Sequence, residues 1–170
     1  QDFNQLEMDQ LDEYNVFIDK GKDPTIPPGY KRIRTHLIFD IKHDGRHKAR
    51  CVADGHLTDV PIDSVYSGVV SLRGLRIMLF LSELNKLEIW ATDIGNAYLE
   101  ARTSEKVYII AGPEFGEKAG STLIVYKALY GLRSSGARWH DKFSDDLRDM
   151  GFSACIAEPD IWMREIVGSM

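Results

Sequence analysis

Residues 30–56 read YKRIRTHLIFDIKHDGRHKARCVADGH, two β-rich runs of alternating apolar and polar residues divided at Asp44-Gly45. An Asp-Gly pair between such runs signals a tight hairpin turn, because glycine takes the positive φ that the turn requires. The stretch therefore predicts a two-stranded antiparallel ribbon. Alternation places Ile33, Leu37, Phe39 and Ile41 mostly on one face and the basic residues near the other. Residues 31–56 carry Lys31, Arg32, Arg34, Lys42, Arg46, Lys48 and Arg50 against Asp40, Asp44 and Asp54, with four histidines interleaved. The result is a basic finger over a hydrophobic floor. On charge alone, a polyanion site and a solvated hairpin of mixed charge fit it equally well.

Before the ribbon, Phe3, Leu6, Leu11, Tyr14, Phe17 and Ile18 recur at near-helical spacing, which predicts an amphipathic helix over 3–18. KGKDPTIPPG at 20–29 ends it as a turn or linker. After the ribbon, SLRGLRIMLFLSELN at 71–85 opens on a cap-like Ser71 and is apolar on most sides, as a buried helix would be. In LEIWATDIGNAYL, residues 87–99, Leu87, Ile89 and Trp90 suggest a strand ending near Asp93. Shorter strands are expected at 106–110, 122–126 and 161–165. A second helix should run from about Ser134 to Met150, with Ala137, Trp139, Phe143, Leu147 and Met150 on one stripe and Gly151 as its stop. The expected fold is α+β, with an antiparallel sheet backed by helices 71–85 and 134–150.

A chain of 170 residues makes one ordinary domain or two small subdomains, and is too short for most complete polymerases. With 44% hydrophobic and 28% charged residues it can bury a core, which excludes a disordered composition. The net charge of −5 hides an asymmetry, since residues 1–24 carry seven acids against Lys20 and Lys22. Cys51 and Cys155 form no CxxC, which argues against a disulfide scaffold or zinc ribbon and for a reducing compartment. No apolar run approaches the roughly 20 residues of a membrane span, and residues 1–20 lack a signal pattern. An intracellular protein without membrane partners is expected.

Asp93 stands where an apolar run gives way to DIGNAYLE, a place from which a carboxylate can project into a cleft. Hard divalent ions such as Mg²⁺ take oxygen donors, and phosphoryl transfer commonly uses two ions held by carboxylates on neighbouring strand ends. The residue type fits a helix cap or turn as well. His43 and His47, with Cys51 or His36, could frame a zinc hairpin, although exposed turn histidines are the simpler reading. Asp93, His140 and a serine have the makings of a hydrolase triad, but no G-x-S-x-G elbow presents the serine. There is no Walker loop and no G-x-G-x-x-G.

The run ATDIGNAYLEARTSEKVYI (91–109), followed by KALYGLRSSGARWHDKF (127–143) and IAEPDIW (156–162), resembles the copia-type retrotransposon reverse transcriptases. IFDIKHDGRHKARCVADGH (38–56), the GPEFG loop (112–116) and the Gly151-Phe152 pair fit the same family in the same order over about residues 30–165. The resemblance implies a reverse-transcriptase-like fingers ribbon with a partial palm. Fingers would occupy about 25–88 and 105–130, palm about 89–104 and 131–170, after an N-terminal helix in 1–24. Asp93 is similar to the first catalytic aspartate, and Ile94 would lend its backbone carbonyl to a metal. Ala97 and Tyr98 would face the incoming nucleotide, with Tyr98 as the ring that screens a ribose 2′-hydroxyl. Lys48 and Arg50 look like the residues that clamp triphosphate or template. Tyr130 and Gly131 resemble the loop beside the nucleotide, and Lys42, Arg46 and Arg138 are the nucleic-acid contacts.

The sequence departs from the family at Ser134-Ser135-Gly136, where many relatives carry Gln-Ala-Pro. Trp139 is read as a core anchor rather than a stacking platform. No Tyr-x-Asp-Asp motif occurs, and Asp145-Asp146 imitates it in the wrong, helical context. The expectation is a domain cut before the Tyr-x-Asp-Asp hairpin and thumb, with the two-ion Mg²⁺ site complete only in the full-length enzyme and the isolated chain inactive. Its partners would be RNA/DNA template-primer, deoxynucleoside triphosphates and the remaining polyprotein: palm end, thumb and RNase H. Its setting would be a cytoplasmic virus-like particle or the nucleus. The alternative is a non-catalytic nucleic-acid-binding or structural remnant of a retroelement polyprotein. An uncovered sheet edge beside IWMRE would make the chain association-prone.

Overall fold

The ribbon forms as its alternation requires. In the computed structural model, which describes residues 3–41, 43, 45–58 and 65–165, β3 (Thr35–Ile41) and β4 (His47–Ala53) pair antiparallel from Thr35↔Ala53 to Ile41↔His47. Gly45 takes φ 80° in the turn, and Asp44 lies outside the described residues. Leu37, Phe39 and Ile41 share the face of Cys51, Ala49 and His47, but the hydrophobic floor stops early. Leu37 packs on the core, whereas Phe39 is 64% exposed and Ile41 63%.

This ribbon belongs to a unit made of Gln1–Tyr66 and Asn96–Trp139. The unit also holds α1 (Phe3–Glu13) and a four-stranded sheet in the order β1-β6-β5-β2. Its strands are β1 (Phe17–Asp19), β2 (Lys31–Arg32), β5 (Val107–Ile110) and β6 (Thr122–Val125). β2 runs parallel to β5, and the other pairs are antiparallel. The core gathers Leu11 of α1, Cys51 of β4, Val107 and Ile109 of β5 and Leu123 of β6, together with Val16, Ile33, Leu99 and Leu129 from outside the strands.

The first helix is shorter than its apolar spacing predicts. Asn15 takes a left-handed φ of 52°, its N–H donates to the Asp12 carbonyl, and the Val16 N–H donates to the Leu11 carbonyl, which closes the helix in a Schellman turn. Val16 is fully buried beside Leu11, so Phe17 and Ile18 leave the helix and enter β1.

The second unit comprises Ser67–Gly95 and His140–Met170. It contains α2 (Leu72–Leu84), most of α4 (Ser135–Asp149) and a small hairpin of β7 (Ser153–Ala154) and β8 (Trp162–Met163). Ser71 caps α2 as expected, its Oγ accepting the Gly74 N–H at 2.9 Å. Gly151 ends α4 at φ 84° in a second Schellman turn, with Phe152 N–H on the Leu147 carbonyl. The IAEPDIW loop ties the helices together. Glu158 accepts the Ser71 hydroxyl at 2.5 Å, and Asp160 Oδ1 meets His140 Nε2 at 2.7 Å.

Three expectations for this unit are corrected. α2 is not buried: within its unit the 156–162 loop covers it at Gly74, and Phe80, Leu81 and Leu84 are exposed, because burying an all-round apolar helix needs a second layer. Residues 87–94 form no strand, since ladder hydrogen bonds need a neighbour and none of the described residues pairs with them; Trp90 is 85% exposed. Of the stripe expected on α4, Ala137 is buried and Trp139 and Leu147 are half-buried, but Phe143, and Met150 just past the helix end, lie toward solvent, and Ser144 is buried instead. Among the described residues no helix is long and apolar enough to cross a membrane.

Candidate functional site

Ala49, Cys51 and Ala53 are buried, so strand alternation turns Lys48 and Arg50 to the other face, opposite Asp40 and Ile38 of β3. Both basic residues are half-buried. Arg50 Nη1 lies 3.9 Å from Asp40 Oδ2, a loose pair that leaves the guanidinium able to take another anion. Asp54 takes His36 at 3.0 Å and Arg34 at 3.7 Å. Arg46 is exposed just after the turn, and Lys42 lies outside the described residues.

Two groups satisfy the edge of β4 that faces away from β3. The Ala53 N–H donates to the Tyr130 carbonyl at 2.7 Å, and the Cys51 N–H donates to Glu7 Oε1 at 2.8 Å. At the first contact the chains touch backbone to backbone. Gly131 takes φ 89°, and a Cβ there would collide with the Ala53 carbonyl; a Cβ at Gly55 would collide with the Gly131 carbonyl. Arg133 adds bonds to the carbonyls of Gly55 and His56 at 3.1 and 3.2 Å. The ADG and LYGL segments, distant in sequence, are thus one structure.

Tyr98 reaches the same place from α3 (Ala97–Glu100), which is pinned by buried Leu99. The Tyr98 and Tyr130 ring centroids are 5.0 Å apart at 41°. Ala97, Tyr98, Tyr130 and Gly131 therefore gather beside the end of β4, with Lys48 and Arg50 further along that strand. The unusual Ser134-Ser135 is integrated by hydrogen bonds. Ser134 is fully buried, its N–H and Oγ donating to Glu105 Oε1 at 2.9 and 2.7 Å, and Ser135 Oγ donates to the Leu129 carbonyl at 2.6 Å. Arg138 is half-buried one turn into α4.

Asp93 and Ile94 lie in the second unit, exposed, in the irregular segment before Gly95. They supply one carboxylate and one carbonyl, fewer donors than a magnesium ion needs from protein and substrate together. Among the described residues no group of three or more His, Cys, Asp or Glu side chains is placed to hold an ion. The described residues do not by themselves build a magnesium site.

The other candidates resolve locally. Asp145 pairs with Arg148 at 2.6 Å and Asp146 with Lys142 at 2.5 Å, ordinary neighbours along α4. His140 takes Asp160, not Asp93, as its carboxylate. Cys51 is buried, which pushes its thiol up to about 12, and His36 sits on the opposite ribbon face. His47 stacks on Phe3 with centroids 5.2 Å apart. Glu7 is the buried acid of the region, 8% exposed, its carboxyl raised by desolvation against the lowering effect of the Cys51 N–H, Lys48 and Arg50. Neither Glu7 nor the Gly55–Gly131 contact was visible in the sequence. A glycine in each of two motifs was the available sign of the latter.

Residues 23–169 match the family model described as reverse transcriptase (RNA-dependent DNA polymerase). The chain belongs to that family. In an alignment of 170 positions that covers 94% of this chain, it is 27% identical to the retrovirus-related Pol polyprotein from transposon TNT 1-94 of Nicotiana tabacum. Over 138 residues, 80% of this chain, it is 34% identical to the Ty1-DR5 Gag-Pol polyprotein of Saccharomyces cerevisiae, and equally to that of Ty1-PR2. The chain spans 12% of the tobacco polyprotein and 8% of the yeast ones. No solved structure matches it. It is a copia-type reverse transcriptase domain fragment, and the mixed α and β architecture agrees with that family.

Proposed function

We propose that this domain carries out template-directed deoxynucleotidyl transfer as part of a longer polyprotein. The observation that carries the reading is the pairing of Tyr98 with Tyr130 beside the hydrogen-bonded end of β4, which unites three separate family motifs in one place. Lys48 and Arg50 grip phosphate, of the triphosphate or of the template, Ala97 and Tyr98 face the sugar, and Tyr130-Gly131 form the wall beside the base. Lys42, Arg46 and Arg138 hold the template-primer. Asp93 and the Ile94 carbonyl contribute to a Mg²⁺ site completed by other carboxylates of the polyprotein. The ion supplies charge neutralisation at the transferred phosphate.

In this reading the ribbon and α2 belong to the fingers, and α4 and the β7-β8 hairpin belong to the palm. The isolated chain is inactive, since its sequence holds no Tyr-x-Asp-Asp. An intracellular setting, in cytoplasmic particles or the nucleus, goes with the substrates. The test is primer extension by a polyprotein segment long enough to include a Tyr-x-Asp-Asp hairpin. Asp93→Asn should abolish synthesis, and Tyr98→Val should raise ribonucleotide incorporation while deoxynucleotide incorporation persists. Synthesis indifferent to Asp93→Asn sinks the catalytic reading. Template-primer binding without any synthesis leaves the second reading, a nucleic-acid-binding remnant, which the basic ribbon favours.

A further inference from the structure

The residues that match the family model begin at 23, yet the helix before them reaches into the proposed site. We infer that Glu7 is a positioning residue for Lys48 and Arg50, its carboxylate fixing the open edge of β4 from α1. The inference rests on the reading of Lys48 and Arg50 as a grip on template phosphate.

The N–H that Glu7 accepts belongs to Cys51, so the bond fixes the peptide plane joining Arg50 to Cys51. The next outward-facing amide, Ala53, is held by the Tyr130 carbonyl. Cys51 is thus the outer of two anchors, and Lys48 and Arg50 stand just past it, toward the part of the ribbon where Phe39 and Ile41 are exposed. The anchor itself is firm. α1 is held by buried Leu11, by the β1-β6 pairing that follows it, and by Asp12 on Lys118 at 2.5 Å. A carboxylate buried at this place costs folding energy, and an apolar side chain would fill the volume without that cost. What an apolar side chain lacks is an acceptor for the Cys51 N–H.

The experiment measures binding of fluorescein-labelled oligo(dT) annealed to poly(rA), by anisotropy at low salt, together with amide hydrogen exchange at Cys51, in the whole 170-residue chain. Glu7→Leu should weaken binding about fivefold or more and speed exchange at Cys51. Glu7→Gln keeps an oxygen acceptor and should restore both, binding within about twofold of the parent. Should Glu7→Leu fail to fold, Glu7→Asp, whose carboxylate falls short of the amide, replaces it with the same expectation. Parent-like binding by folded Glu7→Leu or Glu7→Asp, or tighter binding by both Glu7→Gln and Glu7→Leu, overturns the inference, the latter because charge alone would then be acting. The double variant Lys48→Ala, Arg50→Ala tests the underlying reading separately: binding that it leaves unchanged refutes a grip on template phosphate, and Glu7 as its positioning residue with it.

Discussion

A thiol pressed between a strand and a helix is a poor nucleophile. Burial pushes Cys51 up to about 12, so at pH 8 roughly one thiol in ten thousand is ionised, whereas Cys155 is partly exposed. Titration of the native chain with a disulfide reagent should release one equivalent, with the second appearing only in denaturant; two fast equivalents would contradict the packing. Glu7 carries a pH dependence of definite sign. Desolvation raises its carboxyl above the ordinary 4.5, so the folded state binds the proton more tightly than the unfolded chain. The stability linked to Glu7 is complete below about 4.5 and declines as pH rises through the folded value. Urea midpoints of the parent and Glu7→Gln should therefore converge near pH 4 and separate in favour of Glu7→Gln toward neutrality. A constant separation at every pH would show that Glu7 does not titrate with folding.

Among the elements, the junction of β4 with the 129–132 loop is the most demanding. Gly131 combines a positive φ with backbone contact, while Gly45 has a positive φ and open space around it. Gly45→Ala should cost about 1 kcal/mol, the price of a left-handed alanine. Gly131→Ala adds a collision with the Ala53 carbonyl and should cost at least about 3 kcal/mol. Equal losses for the two in denaturant unfolding would mean that the backbone contact is looser than described. The ends of the elements were legible wherever a local device sets them: Gly45 in the hairpin turn, Ser71 at the head of α2, Gly151 after α4. The end of α1 was not, because Asn15 is a weaker left-handed signal than glycine and Phe17 and Ile18 continue the helical spacing by chance.

Over the whole molecule, the two units differ in how much of their apolar surface they cover. The unit of α1 and the two sheets has a closed core of Leu11, Val16, Ile109, Leu123 and Leu129, while the other leaves Phe80, Leu84, Leu87 and Trp90 exposed. Trp90→Ser should leave the melting temperature unchanged and remove the water-quenched, red-edge part of the tryptophan emission; Trp139 and Trp162, both half-buried, would remain. A marked loss of stability in that variant would place Trp90 inside a core instead. The candidate site was legible in part at this scale. Tyr98, Tyr130 and Gly131 could be named from their motifs, but that their rings meet, and that Glu7 supports the strand beside them, are properties of the assembled unit.

The sequence by itself determined the hairpin, the strands β5 and β6 and the second helix close to their observed bounds, and the family; the register, Ile41 opposite His47, is one residue off what a two-residue turn at Asp44-Gly45 would set. These follow from signals confined to a few neighbouring residues: alternation, a cap, a glycine at a stop, or an ordered run of motifs. Tertiary structure decided that Glu7 meets Cys51 across 44 positions and Arg133 meets Gly55 across 78. It also decided that residues 87–94 are not a strand and that α2 is not buried. Apolar residues declare that they favour burial, but whether they achieve it depends on a second surface brought from far along the chain, and no spacing within the segment records whether that surface arrives.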